Sequence, residues 1–125
     1  MPKYAALIYS EESDPATLDP EESQQVMTDY TEFGQNNADS IAGGEALHPT
    51  STATTIHVEG GKGGNAVFTD GPFAETKEVL GGFYLLDVPD LDAALKVAQQ
   101  IPGAWYGKVE VRPLLEFDDQ GQPAG

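Results

Sequence analysis

The chain has no cysteine, and that absence removes disulfides, thiolate-ligated zinc, cysteine-held iron–sulfur clusters and thiol nucleophiles together. Positive charge is scarce too. Six Lys and Arg stand against 21 Asp and Glu, a net charge of −15, and a field of that sign repels phosphate backbones and anionic lipid surfaces. Direct binding of nucleic acid or membrane is therefore not expected. The acidic excess reads as a solvated surface, with an acidic docking face as the other reading. Long apolar runs are missing as well: Met1-Pro2-Lys3-Tyr4 leads into a segment too short for a signal-peptide core or a membrane span, so a cytoplasmic location is expected. With only two histidines and no His-x-x-x-His or Asp-rich loop, the sequence offers no metal motif. Gly60-Gly61-Lys62-Gly63-Gly64-Asn65 lacks the spacing and the Lys-Ser/Thr ending of a phosphate loop and reads as a hairpin turn. No cofactor is implied.

What is there is the composition of an ordinary globular domain, 39% hydrophobic and 22% charged over 125 residues, enough for one core. We read one domain over residues 1–117 and a polar tail over 118–125. Tyr4 to Tyr9 is a short, nearly continuous apolar stretch whose length favours a buried central strand. Ser10 to Asp19, with Pro15, reads as a loop. Asp19-Pro20-Glu21-Glu22 then supplies an N-cap, a proline at the first helical position and an acid at the third. Val26, Met27, Tyr30, Phe33 and Ala38 give that helix its apolar face. Strands are expected at Ile41–Leu47, Thr52–Val58, Ala66–Thr69, Gly81–Val88 and Lys108–Arg112. A second helix starts at Pro89-Asp90, uses Leu91, Ala94, Leu95, Ala98 and Ile101 as its inner face, and stops at Pro102-Gly103.

Two strand-helix-strand halves predict an α+β, ferredoxin-like sandwich, an antiparallel sheet with two helices on one face. Its other face is left uncovered and partly apolar, which predicts a homodimer joined sheet to sheet, of the dimeric α/β barrel type.

Asp70-Gly71-Pro72-Phe73-Ala74-Glu75-Thr76-Lys77-Glu78, continued by Gly81-Gly82-Phe83-Tyr84, resembles the signature of the DGPF (DGPFAETKE) branch of the YCII-related family. Supporting similarity lies in Tyr4–Ser10, Gly43–Leu47, Thr52–Thr55 and Ile101–Pro113. The resemblance implies a bacterial, ferredoxin-like dimer with a pocket between sheet and signature loop, in a family largely without assigned activity. Some members of the wider family are dehalogenating enzymes of aromatic breakdown, and many genes of the DGPF branch lie near sigma-factor genes. The wider family is also known for a His/Asp pair proposed as catalytic, with the His in the first helical region. Residues 20–40 here hold no His.

Asp70 and His48 are the candidate catalytic residues. Asp70 can act as a general base, or it can fix its own turn by accepting hydrogen bonds from the backbone that follows. His48, at the end of a predicted strand, is the better placed of the two groups that titrate near neutral pH; if it approaches Asp70 or Glu45 it completes an acid–base pair. His57 is expected on the strand face opposite Ile56 and Val58. Glu75 and Lys77 form an ion pair, anchor the loop or contact substrate. Glu45 and Tyr84 are further substrate-binding candidates, Tyr84 through its hydroxyl, with a core role as its other reading. The leading expectation is a small-molecule-binding protein with cofactor-independent acid–base chemistry of a lyase, isomerase or dehalogenase-like kind. The competing class is a non-enzymatic interaction or ligand-sensing module, linked to transcriptional regulation through a protein partner.

Overall fold

The computed structural model describes residues 3–12 and 19–124; the segment around Pro15, expected to be loop, lies outside the described residues. In chain order the elements are β1 (Lys3–Glu11), α1 (Pro20–Asn36), β2 (Ile41–Ala46), β3 (Thr54–Glu59), β4 (Asn65–Asp70), β5 (Glu78–Asp87), α2 (Leu91–Ala98), α3 (Gly103–Tyr106) and β6 (Lys108–Pro113), with a single 3₁₀ turn at Thr50–Thr52 before β3.

The apolar run at the start of the chain takes the central position expected of it. β1 lies between β5 and β6, with β2 beyond β5, and all three pairings are antiparallel. With β3 and β4 set aside, the strands stand in the order second, third, first, fourth, which is compatible with a ferredoxin-like arrangement. β3 and β4 stand outside this sheet. They pair with each other from Thr54↔Asp70 to Glu59↔Asn65 as a separate ribbon, and the glycine-rich stretch is its turn, with Gly60, Gly61 and Gly63 at positive φ.

Side chains alternate across a strand, and one face of the sheet gathers the core. Tyr4 and Ala6 of β1 and Leu86 of β5 join Val88, Phe33 of α1, and Ala94, Val97, Ala98 and Ile101 from and after α2. Full burial of a side chain such as Leu86 or Ile101 contributes about 1.5–3 kcal/mol, so this layer dominates the stability. Both longer helices are capped as their sequences predict: Asp19 accepts from the Glu21 N–H at 3.0 Å, and Asp90 from the Ala93 N–H at 2.9 Å. Asn37 ties the helix ends together, its Nδ2 donating to the Phe33 carbonyl and to Gln100 Oε1, both at 3.0 Å.

Three details correct the sequence reading. The inner face of α2 is Ala94, Val97 and Ala98, while Leu91 and Leu95 are each 46% exposed. Pro102-Gly103 opens a further helix, α3, because a proline needs no hydrogen-bond acceptor in a first turn. On α1, Met27 is exposed and Ala38 lies past the last helical residue. The tail turns back on itself: Asp118 Oδ1 accepts from the Gln120 and Gln122 N–H groups, and Phe117 bridges to Pro123.

Candidate functional site

Two clefts meet where β1 ends beside the start of β5. The smaller, about 510 Å³, is the space expected beside the signature loop: Pro72, Ala74, Glu75, Thr76 and Lys77 line it, facing Glu11 and Glu12 of the β1 end and Thr50-Ser51 of the 3₁₀ turn. Its walls are pinned by backbone bonds to side chains. Glu12 Oε1 accepts from the Thr50 N–H at 3.1 Å, and Thr76 Oγ1 donates to the Glu78 carbonyl at 2.7 Å.

The larger cleft, about 990 Å³, opens between the N-terminal half of α1 and the sheet. Ile8, Val26, Tyr30 and Gly103 line it on the core side, Tyr106 lines it from an exposed position, and Glu11, Glu22, Lys77, Glu78 and Lys108 also border it. Ile8 and Tyr30 also pack on the core, so this end of the cleft is the apolar one. The local chain explains the shape. Gly103 lets the start of α3 press against β1 and α1, since a Cβ there would collide with Ile8 and lie 3.0 Å from the Tyr30 hydroxyl.

The charges around the cleft are paired in a crossed pattern. Lys77 Nζ is 3.2 Å from Glu11, and Lys108 Nζ is 2.6 Å from Glu78. Tyr30 is the polar group nearest the core. Burial raises its pKa above the ordinary tyrosine value, the neighbouring Tyr84 and then Tyr106 add to that, and the backbone N–H of Gly103 works against it. Its hydroxyl keeps its proton at neutral pH and so can donate.

Of the residues singled out from the sequence, Glu75 and Lys77 line the signature-loop cleft, and Lys77 lines the larger one too. Lys77 is paired with Glu11 rather than with Glu75. Tyr84 sits in the core layer, where its ring meets Phe33 edge-on with centroids 5.0 Å apart, and burial raises its pKa. Asp70 closes β4, on the ribbon face that carries Ile56 and Phe68. The Gly71 N–H donates to the Ala53 carbonyl at 2.7 Å. His48 follows β2, and Glu45 of β2 stands opposite Phe83; Asp70, His48 and Glu45 are solvent-exposed, and none of them lines either cleft. His57 is on the opposite ribbon face from Ile56 and Val58, as alternation requires.

Nothing in the sequence marks Tyr30, Tyr106, Glu22 or Lys108 as site residues. The spacing of Tyr30 puts it on the apolar face of α1 and gives no sign that its hydroxyl end borders open space. Lys108 was one polar position in an alternating strand. Among the described residues, no three acidic or histidine side chains are grouped to hold a metal, and no helix is long and apolar enough to cross a membrane.

The family model for the YCII-related domain matches residues 3–118. An uncharacterized protein of Rhizobium meliloti is 39% identical over 118 residues, a stretch covering 91% of this chain and 93% of that one. The matched span contains every strand, both longer helices and both clefts, and on this ground the chain belongs to the YCII-related family.

Proposed function

We propose that this YCII-related protein, of the DGPF branch by its signature loop, binds a small molecule in the helix–sheet cleft, with Lys77 of that loop at the mouth. One observation carries the reading. A cleft of about 990 Å³ is of the size that holds metabolite- and drug-sized ligands, and this one joins an apolar end at Ile8, Val26 and the Tyr30 ring to a border of polar and charged side chains. The signature loop borders it through Lys77, which gives that loop a binding role.

Binding or ligand sensing is favoured over acid–base turnover by Asp70 and His48, because both are exposed and stand outside the clefts. The test is a fragment screen followed by amide chemical-shift mapping. Shifts clustered on Tyr30, Gly103, Tyr106 and Lys77, unchanged in Asp70→Asn and His48→Gln, are the expected result. Shifts clustered on Asp70 and His48 would return the acid–base reading to first place.

The protein is further proposed to act as a homodimer through the sheet face away from the helices. Ala5 and Leu7 of β1 and Phe83 and Leu85 of β5 are register partners on that face, and they form an apolar strip at its centre. Sedimentation velocity checks this: a species of twice the 13.3 kDa chain mass is expected, and a monomer at micromolar concentration would remove the proposal.

A further inference from the structure

We infer that the helix–sheet cleft selects an uncharged or cationic amphiphile with a hydrogen-bond acceptor at its inner end, and discriminates against carboxylates and phosphate esters; this rests on the binding proposal above. The cleft contains lysines, which at first suggests an anionic ligand. The pairing argues otherwise. Among the described residues, Lys77 and Lys108 are its cationic side chains, and each is engaged by a glutamate, at 3.2 Å and 2.6 Å.

Glu11 and Glu78 are direct register partners on β1 and β5. An anionic ligand that drew the lysines away would leave two carboxylates facing each other, and like charges so placed repel. It would do so in a chain of net charge −15. Glu22, also bordering the cleft, has no ion-pair partner among the described residues. The positive end of α1, the other feature able to attract an anion, is already answered by Asp19 as cap and by Glu21 and Glu22 in the first turn. Among the described residues the border therefore offers a carboxylate without an ion-pair partner and no unpaired cation.

The inner end has the opposite polarity. The Gly103 backbone N–H approaches the Tyr30 hydroxyl oxygen as a donor, and among the described residues no acceptor takes the Tyr30 proton, which is left for a ligand oxygen. Ile8 and Val26 take an apolar body, and the rings of Tyr30 and Tyr106 give a cationic group a further attractive surface.

Tyramine, tyrosol and phloretate test this, since they share a hydroxyphenyl body and differ in whether the far end is cationic, neutral or anionic. Titration calorimetry on the full chain is expected to rank tyramine above tyrosol and tyrosol above phloretate, with tyramine about tenfold or more tighter than phloretate and the gap closing as salt is raised. Glu22→Gln should reduce the tyramine advantage and leave tyrosol unchanged. Tyr30→Phe should weaken all three, with thermal melts confirming that both variants fold. Phloretate binding as tightly as tyramine, or a tyramine advantage that Glu22→Gln does not touch, would overturn the inference while leaving a binding cleft. Failure of all three to bind, with no amide shifts at Tyr30 or Tyr106, would overturn the binding proposal along with it.

Discussion

Glu11 and Glu78 stand directly across from each other on adjacent strands, and each is held by a lysine from a different part of the chain: Lys77 from the signature loop and Lys108 from the first position of β6. Two like charges in register are unfavourable, so the lysines offset a conflict built into the sheet. Exposed pairs of this kind contribute at most about 1 kcal/mol each. Lys108→Met should therefore lower stability in urea by about 1 kcal/mol, and adding Glu78→Gln should recover most of it. Additive losses in the double variant would show that the pair does not act as a unit.

The signature loop is pinned by the root of the ribbon. Thr55 Oγ1 donates to the Gly71 carbonyl at 2.8 Å, alongside the Gly71 N–H bond to Ala53. Thr55→Val removes the first bond at a half-buried position. It should cost about 1 kcal/mol and speed amide exchange from Gly71 to Lys77. Unchanged exchange there would mean that the loop is held by something else.

Gly103 leaves room for both Ile8 and the Tyr30 hydroxyl. Gly103→Ala forces them aside and should destabilise by about 1–3 kcal/mol, with weaker ligand binding in the cleft. A neutral change by chemical denaturation would place α3 farther from β1 than described.

Tyr30 and Tyr84 both have pKa values raised above 10.0, each chiefly by burial. Below 10.0 the folded and unfolded chains hold these protons equally. As pH rises past it the unfolded chain releases them first, so stability falls from there upward. The alkaline fall in melting temperature should be shallower in the Tyr30→Phe, Tyr84→Phe double variant than in the parent; equal slopes would exclude these tyrosines as its cause.

Much of the fold was legible from local signals. The nearly continuous apolar run Tyr4–Tyr9 reads as a central strand, and β1 is flanked by β5 and β6. The caps at Asp19 and Asp90 were legible because an aspartate before a helical pattern supplies the acceptor that the first turn lacks. The inner face of α2 was not. Leu91 and Leu95 share helical spacing with Ala94 and Ala98, and so does Val97 with Ala94 and Ile101. Periodicity alone leaves the rotation of such a stripe undecided, and the face turned to the core carries alanine and valine while Leu91 and Leu95 stand exposed. Leu86→Ala should accordingly cost about 2–5 kcal/mol and Leu95→Ala under about 1 kcal/mol. Comparable losses would reinstate the original face.

The candidate site was the least legible part. Its lining draws on Ile8, Val26, Tyr30, Gly103 and Tyr106, residues that lie far apart in the chain and are brought together by the fold. The signature motif is continuous in the chain and led to Asp70. The cleft is discontinuous, and among its lining residues only Lys77 and Glu78 also belong to the motif.

The ribbon of β3 and β4 shares no strand pairing with the main sheet, and Ile56 and Phe68 on one of its faces are 60% and 67% exposed. Two strands without a covering layer are marginal in water. Its amides should thus exchange with solvent through a local opening that leaves β1, β5 and β6 closed, so the chain behaves as two cooperative units of unequal stability. Gly71, bonded to Ala53 and Thr55 at the ribbon's root, lies on the boundary between them. Whatever steadies or loosens the ribbon is thereby passed to the loop that carries Lys77, without any change in the core.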